Sequence, residues 1–218
     1  MIIGFVGLIG SGKDTAADYL VNFHGFRRDS FAGTLKDAIS AIFGWDRTLL
    51  EGRTTHAREW REQIDPWWAE RLGMPDLTPR WILQWWGTEV CRKAFHNDIW
   101  IASLEYKLLT SNDDIVISDV RFPNEIAAIH KAGGIVVRIK RGEEPDWIQA
   151  AESFNRGPNG NTNWALSRMK LEKAKIHASE YSWVGGKIDH TVFNDTTIDS
   201  LFGQIKNLVE DLPASTAT

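Results

Sequence analysis

Gly7-Leu8-Ile9-Gly10-Ser11-Gly12-Lys13-Asp14-Thr15 decides the fold of this chain. It follows the apolar run Ile2-Ile3-Gly4-Phe5-Val6 and precedes a helix-like run from Ala16 to Phe23. The spacing from Gly7 through Gly12 and Lys13 fits G-x-x-x-x-G-K, and strand, loop, helix is the context a phosphate-binding loop needs. Glycines let the backbone curl so that successive N–H groups point at phosphate oxygens. The helix that follows adds its positive N-terminal end. Lys13 reaches the outer phosphates as a mobile point charge. Gly10, Ser11, Gly12, Lys13, Asp14 and Thr15 are therefore the candidate contacts for a nucleoside triphosphate. A glycine-rich turn without a ligand is the plain alternative, and the strand before and helix after weigh against it.

One position departs from the pattern. The residue after the lysine is usually Ser or Thr, whose hydroxyl binds Mg²⁺. Here it is Asp14, with Thr15 next. Neighbours on a helix point about 100° apart, so Thr15 does not simply replace the missing hydroxyl. A carboxylate beside a triphosphate is repulsive unless a cation lies between them. Either Asp14 holds Mg²⁺ directly or through water, or it caps the first helical turn, where an anion is favoured. Asp14 and Thr15 are the candidate metal contacts.

The chain has 218 residues, enough for one α/β domain with insertions. It carries 25 Lys and Arg against 29 Asp and Glu, a net charge of −4, and no basic tail. That excludes a general nucleic-acid coat, and no stable nucleic-acid partner is expected. Cys91 is the single cysteine, so there is no disulfide framework and no cysteine metal cluster. The first residues read as a strand rather than a signal peptide, and no apolar run has the length of a membrane span. A cytoplasmic location without membrane attachment is the expectation. The six histidines are scattered, and none is assigned to a metal. Eleven tryptophans, including Trp67-Trp68 and Trp85-Trp86, are read mainly as core rings, with a minority free to line a pocket for a flat ring.

The rest of the chain alternates strand and helix signals. A first helix spans 13–24 and ends at Gly25. Ser30-Phe31-Ala32 reads as a short second strand. Thr34 opens a helix that Gly44 stops, with Lys36 at its start as either a solvated lysine or a hand for a substrate phosphate. Residues 45–78 alternate Arg and Glu, the mark of an ion-paired exposed face, and Pro66 interrupts any single helix there. Thr78-Pro79 is an N-cap followed by a first-turn proline. Ile82, Leu83, Trp86, Val90 and Ala94 continue at helical spacing, and the interior Gly87 implies close approach of a ligand or another helix. Asp98 caps a further helix. Ile115-Val116-Ile117-Ser118 reads as a buried parallel strand that delivers Asp119 at its carboxyl end, where ligands bind in open α/β sheets. Pro123-Asn124-Glu125 starts a helix ended by Gly133-Gly134, and 135–139 is another strand. Residues 142–187 read as a basic, loop-hinged insertion suited either to a lid over phosphates, with Arg156 and Arg168 as its candidate cations, or to a solvated helix face. Residues 188–193 form a last strand, 198–209 an amphipathic helix, and 213–218 a frayed tail. The expected fold is α/β: a three-layer P-loop NTPase fold, with a mainly parallel sheet flanked by helices. It is read as one domain over 1–218, with a helical substrate-binding insertion over about 45–112 and the lid-like insertion.

Several of these stretches resemble the bacteriophage deoxynucleoside monophosphate kinases. They are Gly10-Ser11-Gly12-Lys13-Asp14-Thr15, Leu35-Lys36-Asp37-Ala38, Leu83-Gln84-Trp85-Trp86-Gly87-Thr88-Glu89, Asp98-Ile99-Trp100 and Ile117-Ser118-Asp119-Val120-Arg121-Phe122-Pro123-Asn124-Glu125. His177-Ala178-Ser179-Glu180 and Val192-Phe193-Asn194-Asp195 also look family-like. The resemblance implies transfer of the ATP γ-phosphoryl to a deoxynucleotide such as dTMP or dGMP, with Mg²⁺. It implies that Lys13, Asp119 and Arg121 serve catalysis. It places Lys36, Gly87, Thr88, Trp100, Asp119, Arg121 and Glu125 among the substrate contacts, with Arg80 and Arg92 as further candidates. Within 45–78, which shows no clear match, Arg53 is the candidate. A homodimer is carried as an expectation from the family. The rivals are a different small-molecule kinase on the same fold, a nucleotide-dependent ATPase acting on protein or nucleic acid, and a binding module that kept the loop and lost catalysis.

Overall fold

The structure, a computed structural model, describes residues 1–159 and 161–212. Gly160 of the predicted loop and the predicted frayed tail lie outside the described residues. The chain divides into two compact units, 1–30 with 107–218 and 31–106.

The first unit is built on a sheet. Its strands are β1 (Ile2–Val6), β2 (Arg27–Asp29), β3 (Ile115–Ile117), β4 (Ile135–Lys140) and β5 (His190–Phe193), in the order β2-β3-β1-β4-β5. All four neighbouring pairs are parallel, so every strand ends at the same edge. β1 is central, pairing Ile3 with Val116 of β3 and with Ile135 of β4. Helix α1 (Lys13–His24) buries Ala16, Ala17 and Leu20 in a cluster with Ile3, Phe5, Val137 and Ile139. The last helix joins that cluster through Leu201, Ile205 and Leu208. On the opposite face, Gly4 leaves space that Ile129 fills. Burial on both faces explains the near-continuous apolar strands, and sheet and helices form the predicted α/β three-layer arrangement.

The second strand lies over Arg27–Asp29, not at the expected Ser30-Phe31-Ala32. Its pairing is set by the ladder to β3, Arg27 opposite Ile115 and Asp29 opposite Ile117. It is an edge strand, and its three charged side chains conceal the β signal while protecting the edge.

The second unit is helical. It holds α2 (Gly33–Phe43), α3 (Arg47–Glu51), α4 (Thr55–Glu62), α5 (Pro66–Leu72) and α6 (Pro79–Trp85). A π-helical segment (Trp86–Phe95) follows, and then the start of α7 (Ile99–Leu109). Asp46, Thr54, Asp65 and Thr78 cap α3, α4, α5 and α6 by accepting backbone N–H bonds. Its core gathers Leu35, Ile39, Phe43, Trp45, Leu50, Leu77, Ile82 and Trp100. The continuous α-helix expected through Val90 and Ala94 is replaced after Trp85 by the wider π form. Gly87 sits at its start: a Cβ there would meet Leu35 Cδ2 at 2.7 Å, and Gly87 O accepts the Trp100 indole N–H at 3.0 Å. A carbonyl engaged from outside loosens the regular ladder around it.

The chain rejoins the sheet unit within α7. There follow α8 (Pro123–Lys131), α9 (Ile148–Asn155), α10 (Trp164–Lys173), α11 (Ala178–Tyr181) and α12 (Ile198–Asp211). Among the described residues, no helix is long and apolar enough to cross a membrane.

Candidate active site

The loop leaves the carboxyl end of β1 and closes onto α1. Gly7, Gly10 and Gly12 all have positive φ, at 145°, 76° and 101°. A side chain at Gly7 would strike the Ile139 carbonyl, and one at Gly12 would meet Asn194 Nδ2 at 2.5 Å. Glycine is required at both places by close backbone approach as well as by dihedral angle. Asn194, just past β5, donates to Ser11 O at 2.9 Å and braces the loop from outside. Ser11 is 3 % exposed, and its Oγ has no hydrogen-bond partner among the described residues. A buried hydroxyl left without a partner beside a glycine cradle fits a loop built to receive further acceptor atoms.

Lys13 folds over the loop. Its Nζ donates to Gly7 O and Leu8 O, each at 2.8 Å. Burial pushes its pKa down to about 8, the Arg121 guanidinium pushes the same way, and Asp14 and Glu180 oppose them. A depressed ammonium near another cation marks a place where positive charge is concentrated and an anion is welcome.

Asp14 and Thr15 are both exposed on the first turn of α1. Asp14 Oδ1 accepts from Ser118 Oγ at 3.0 Å and from Arg28. Thr15 carries a hydroxyl at the surface. Oxygen donors of this kind suit Mg²⁺.

Asp119 stands two residues past β3, partly buried, at the same sheet edge as the loop. Arg121 follows, and its Nη1 donates to Glu180 Oε1 at 2.8 Å and to Ser179 Oγ at 3.2 Å. Glu125 is 2 % exposed. Its Oε2 accepts the backbone N–H of Arg121 at 2.8 Å and of Phe122 at 3.2 Å. It therefore closes the first turn of α8 and fixes the loop that carries Arg121. Arg156 and Arg168 are paired along their own helices, with Glu152 at 2.5 Å and Glu172 at 2.8 Å.

The remaining predicted residues belong to the helical unit. Lys36 Nζ donates to Glu51 Oε1 at 2.8 Å, and Arg47 holds the other oxygen of Glu51. The two cations outweigh burial and bring Glu51 down to about 2. Arg53 is exposed in the turn after α3, and Arg80 pairs with Glu62 at 3.2 Å. Gly87, Thr88 and Arg92 share the π-helical segment, a form often found at functional sites. Trp100 is 7 % exposed and packed in the core.

A feature absent from the sequence reading lies beside the loop. Lys140, Arg141, Gly142 and Glu143 after β4, with Asn194, Asp195 and Thr196 after β5, line a cleft of about 510 Å³. Gly142 N donates to Asp195 Oδ1 at 2.6 Å and ties its two walls. The signal available was the position of both turns after parallel strands, where ligand crevices form.

No protein-family model matches the chain. A mimivirus protein (Acanthamoeba polyphaga mimivirus) named as a deoxynucleotide monophosphate kinase is 34% identical over 155 residues, covering 65% of this chain and 74% of that protein. The deoxynucleoside-5′-monophosphate kinase of Escherichia phage T5 is 28% identical over 174 residues, covering 57% of this chain and 70% of that one. Solved structures of similar course include the shikimate kinase of Aquifex aeolicus, at TM-score 0.46 and 15% identity over 96% of both chains. The dephospho-CoA kinase of Campylobacter jejuni has TM-score 0.41 and 14% identity, again over 96% of both. Likeness at that level does not bear on substrate. By its identity to the mimivirus protein over most of that protein's length, this chain belongs to the deoxynucleotide monophosphate kinase family.

Proposed function

We propose that the chain transfers the γ-phosphoryl group of ATP to the 5′-phosphate of a deoxynucleoside monophosphate, with dTMP and dGMP as the expected acceptors. An acceptor phosphate oxygen bonds to Pγ while the bond from Pγ to the β,γ-bridging oxygen breaks, giving ADP and a deoxynucleoside diphosphate. The observation that carries the reading is Lys13 seated on the carbonyls of a glycine loop, in the field of Arg121.

Phosphoryl transfer needs positioning and charge neutralisation more than covalent chemistry. Lys13 steadies the β- and γ-phosphates, and the N–H groups of Gly10, Ser11 and Gly12 complete the cradle. Arg121 neutralises the transferring group and the acceptor phosphate, with Asp119 beside it. The acceptor is already an anion, so the reaction needs no strong general base. The cleft lined by Asn194 and Arg141 takes the nucleoside end of ATP, its volume lying in the usual range for such sites. Lys36, Arg53, Arg80, Gly87, Thr88, Arg92 and Trp100 are proposed to shape acceptor recognition, and Glu125 to fix the Arg121 loop.

Thr15, and Asp14 through its second oxygen rather than the Oδ1 that Arg28 and Ser118 engage, would hold Mg²⁺ directly or through its waters. The ion supplies charge neutralisation across the phosphates. Arg156 and Arg168 are proposed to exchange their helix-surface partners for phosphate oxygens. Exposed i,i+4 pairs are worth only about 0.3–0.5 kcal/mol, so that exchange costs little.

A coupled assay of ADP release with each nucleoside monophosphate in turn tests the reading. Deoxynucleotide-dependent turnover supports it, and turnover without acceptor points to an ATPase.

A further inference from the structure

Arg28, the middle residue of β2, lies outside the motifs read from the sequence. Its side chain is 14% exposed. Nη1 donates to Asp18 Oδ1 at 2.5 Å. Nη2 donates to Ser118 Oγ at 2.5 Å and to Asp14 Oδ1. Ser118 Oγ in turn donates to Asp14 Oδ1 at 3.0 Å. One guanidinium thus joins the first turn of α1, the edge strand and the end of β3, one residue before Asp119.

Asp14 stands where a neutral hydroxyl is usual, and its charge opposes phosphate. A free carboxylate on an exposed helical turn samples several rotamers, some of them facing the phosphates. Here Oδ1 is fixed by two donors, one of them charged, while the side chain remains 75% exposed. Charge-assisted bonds of this kind are the strong ones, and the planar fork of arginine suits the double contact in a way an ammonium does not.

We infer that Arg28 is a positioning residue of the phosphate loop. It acts through Asp14, holding that carboxylate against β2 and Ser118 and offsetting its charge, so that the loop accepts a triphosphate despite the aspartate. This rests on the reading of residues 7–13 as a triphosphate site.

The test is ATP affinity by titration calorimetry on the full chain, in EDTA so that metal ligation does not enter. Wild type, R28Q, D14N and R28Q/D14N are compared. R28Q is expected to weaken ATP about tenfold or more with Asp14 present, and less than about threefold in the D14N background. Equal losses in the two backgrounds would overturn the inference, because Arg28 would then act on the phosphates directly or only on the fold. If R28Q does not fold, S118A serves in its place: it removes the second anchor of Asp14. A loss confined to the Asp14 background supports the inference, and equal losses overturn it. This readout needs no acceptor. A wild type that binds ATP but phosphorylates no monophosphate counts against the kinase reading alone, and the four affinities still decide the role of Arg28.

Discussion

The sheet unit and the helical unit place their candidate residues by different means. In the sheet unit, backbone geometry does the placing: strand ends bring Lys13, Asp119 and Arg121 to one edge, and positive-φ glycines shape the loop. The side chains themselves contribute little to the core. In the helical unit, the placing is done by packed rings and caps. Eight of the eleven tryptophans fall within 31–106, and Trp45 stacks on Phe43 at 4.4 Å. Of the candidates here, Trp100 is itself a core ring and Gly87 is buried. For Lys13, Asp119 and Arg121 a candidate role is therefore separable from the core, whereas for Gly87 and Trp100 the two coincide.

That contrast is open to breaking. Lys13→Ala should lower phosphoryl transfer by about a thousandfold or more, the loss typical of removing a key charge-stabilising group, while thermal unfolding stays close to wild type. A large drop in melting temperature would place Lys13 in the fold instead. Trp100→Ala should do the reverse, costing about 3–5 kcal/mol of stability by denaturant titration. It also leaves Gly87 O without its indole donor. A small change in midpoint would mean that the helical core does not depend on that ring.

Arg121→Ala sharpens the contrast within the sheet unit. It should lower kcat/KM for the monophosphate by about a hundredfold and change ATP affinity by less than about threefold. The opposite split would move Arg121 to the donor side.

The smallest effect concerns Lys13 and protons. Its pKa is held at about 8. Bound phosphates favour the ammonium and raise that pKa, so Lys13 should take up a fraction of a proton when ATP binds near pH 8. Affinity should fall as pH rises through that range. Calorimetry in buffers of different ionisation enthalpy measures the uptake, which Lys13→Ala should abolish.

Much of the sheet unit was legible in the sequence because its signals are local. Gly7 to Lys13 states its own spacing, Ile115 to Ser118 states its own burial, and Gly25 stops the helix it follows. The second strand lies over Arg27–Asp29 rather than 30–32 because it is stabilised by a partner far along the chain and not by apolar residues of its own. In the helical unit, Asp46, Thr54 and Asp65 were readable caps overshadowed by the alternating charges around them. The π-helical segment is not readable from spacing, which gives the same apolar period for α and π turns and does not encode the distant Trp100 bond to Gly87 O. Arg28 was hidden for the same reason, since its partners Asp14 and Ser118 are 14 and 90 residues away.

If ATP held in this loop donates its γ-phosphoryl group to a nucleotide, the transferred phosphorus can be followed. The most direct measurement follows the γ-phosphoryl of labelled ATP, with Mg²⁺ and with each deoxynucleoside monophosphate in turn or none. Label is expected in a deoxynucleoside diphosphate with at least one acceptor, with little release of inorganic phosphate without one. Label released only as inorganic phosphate, whatever the acceptor, would contradict it.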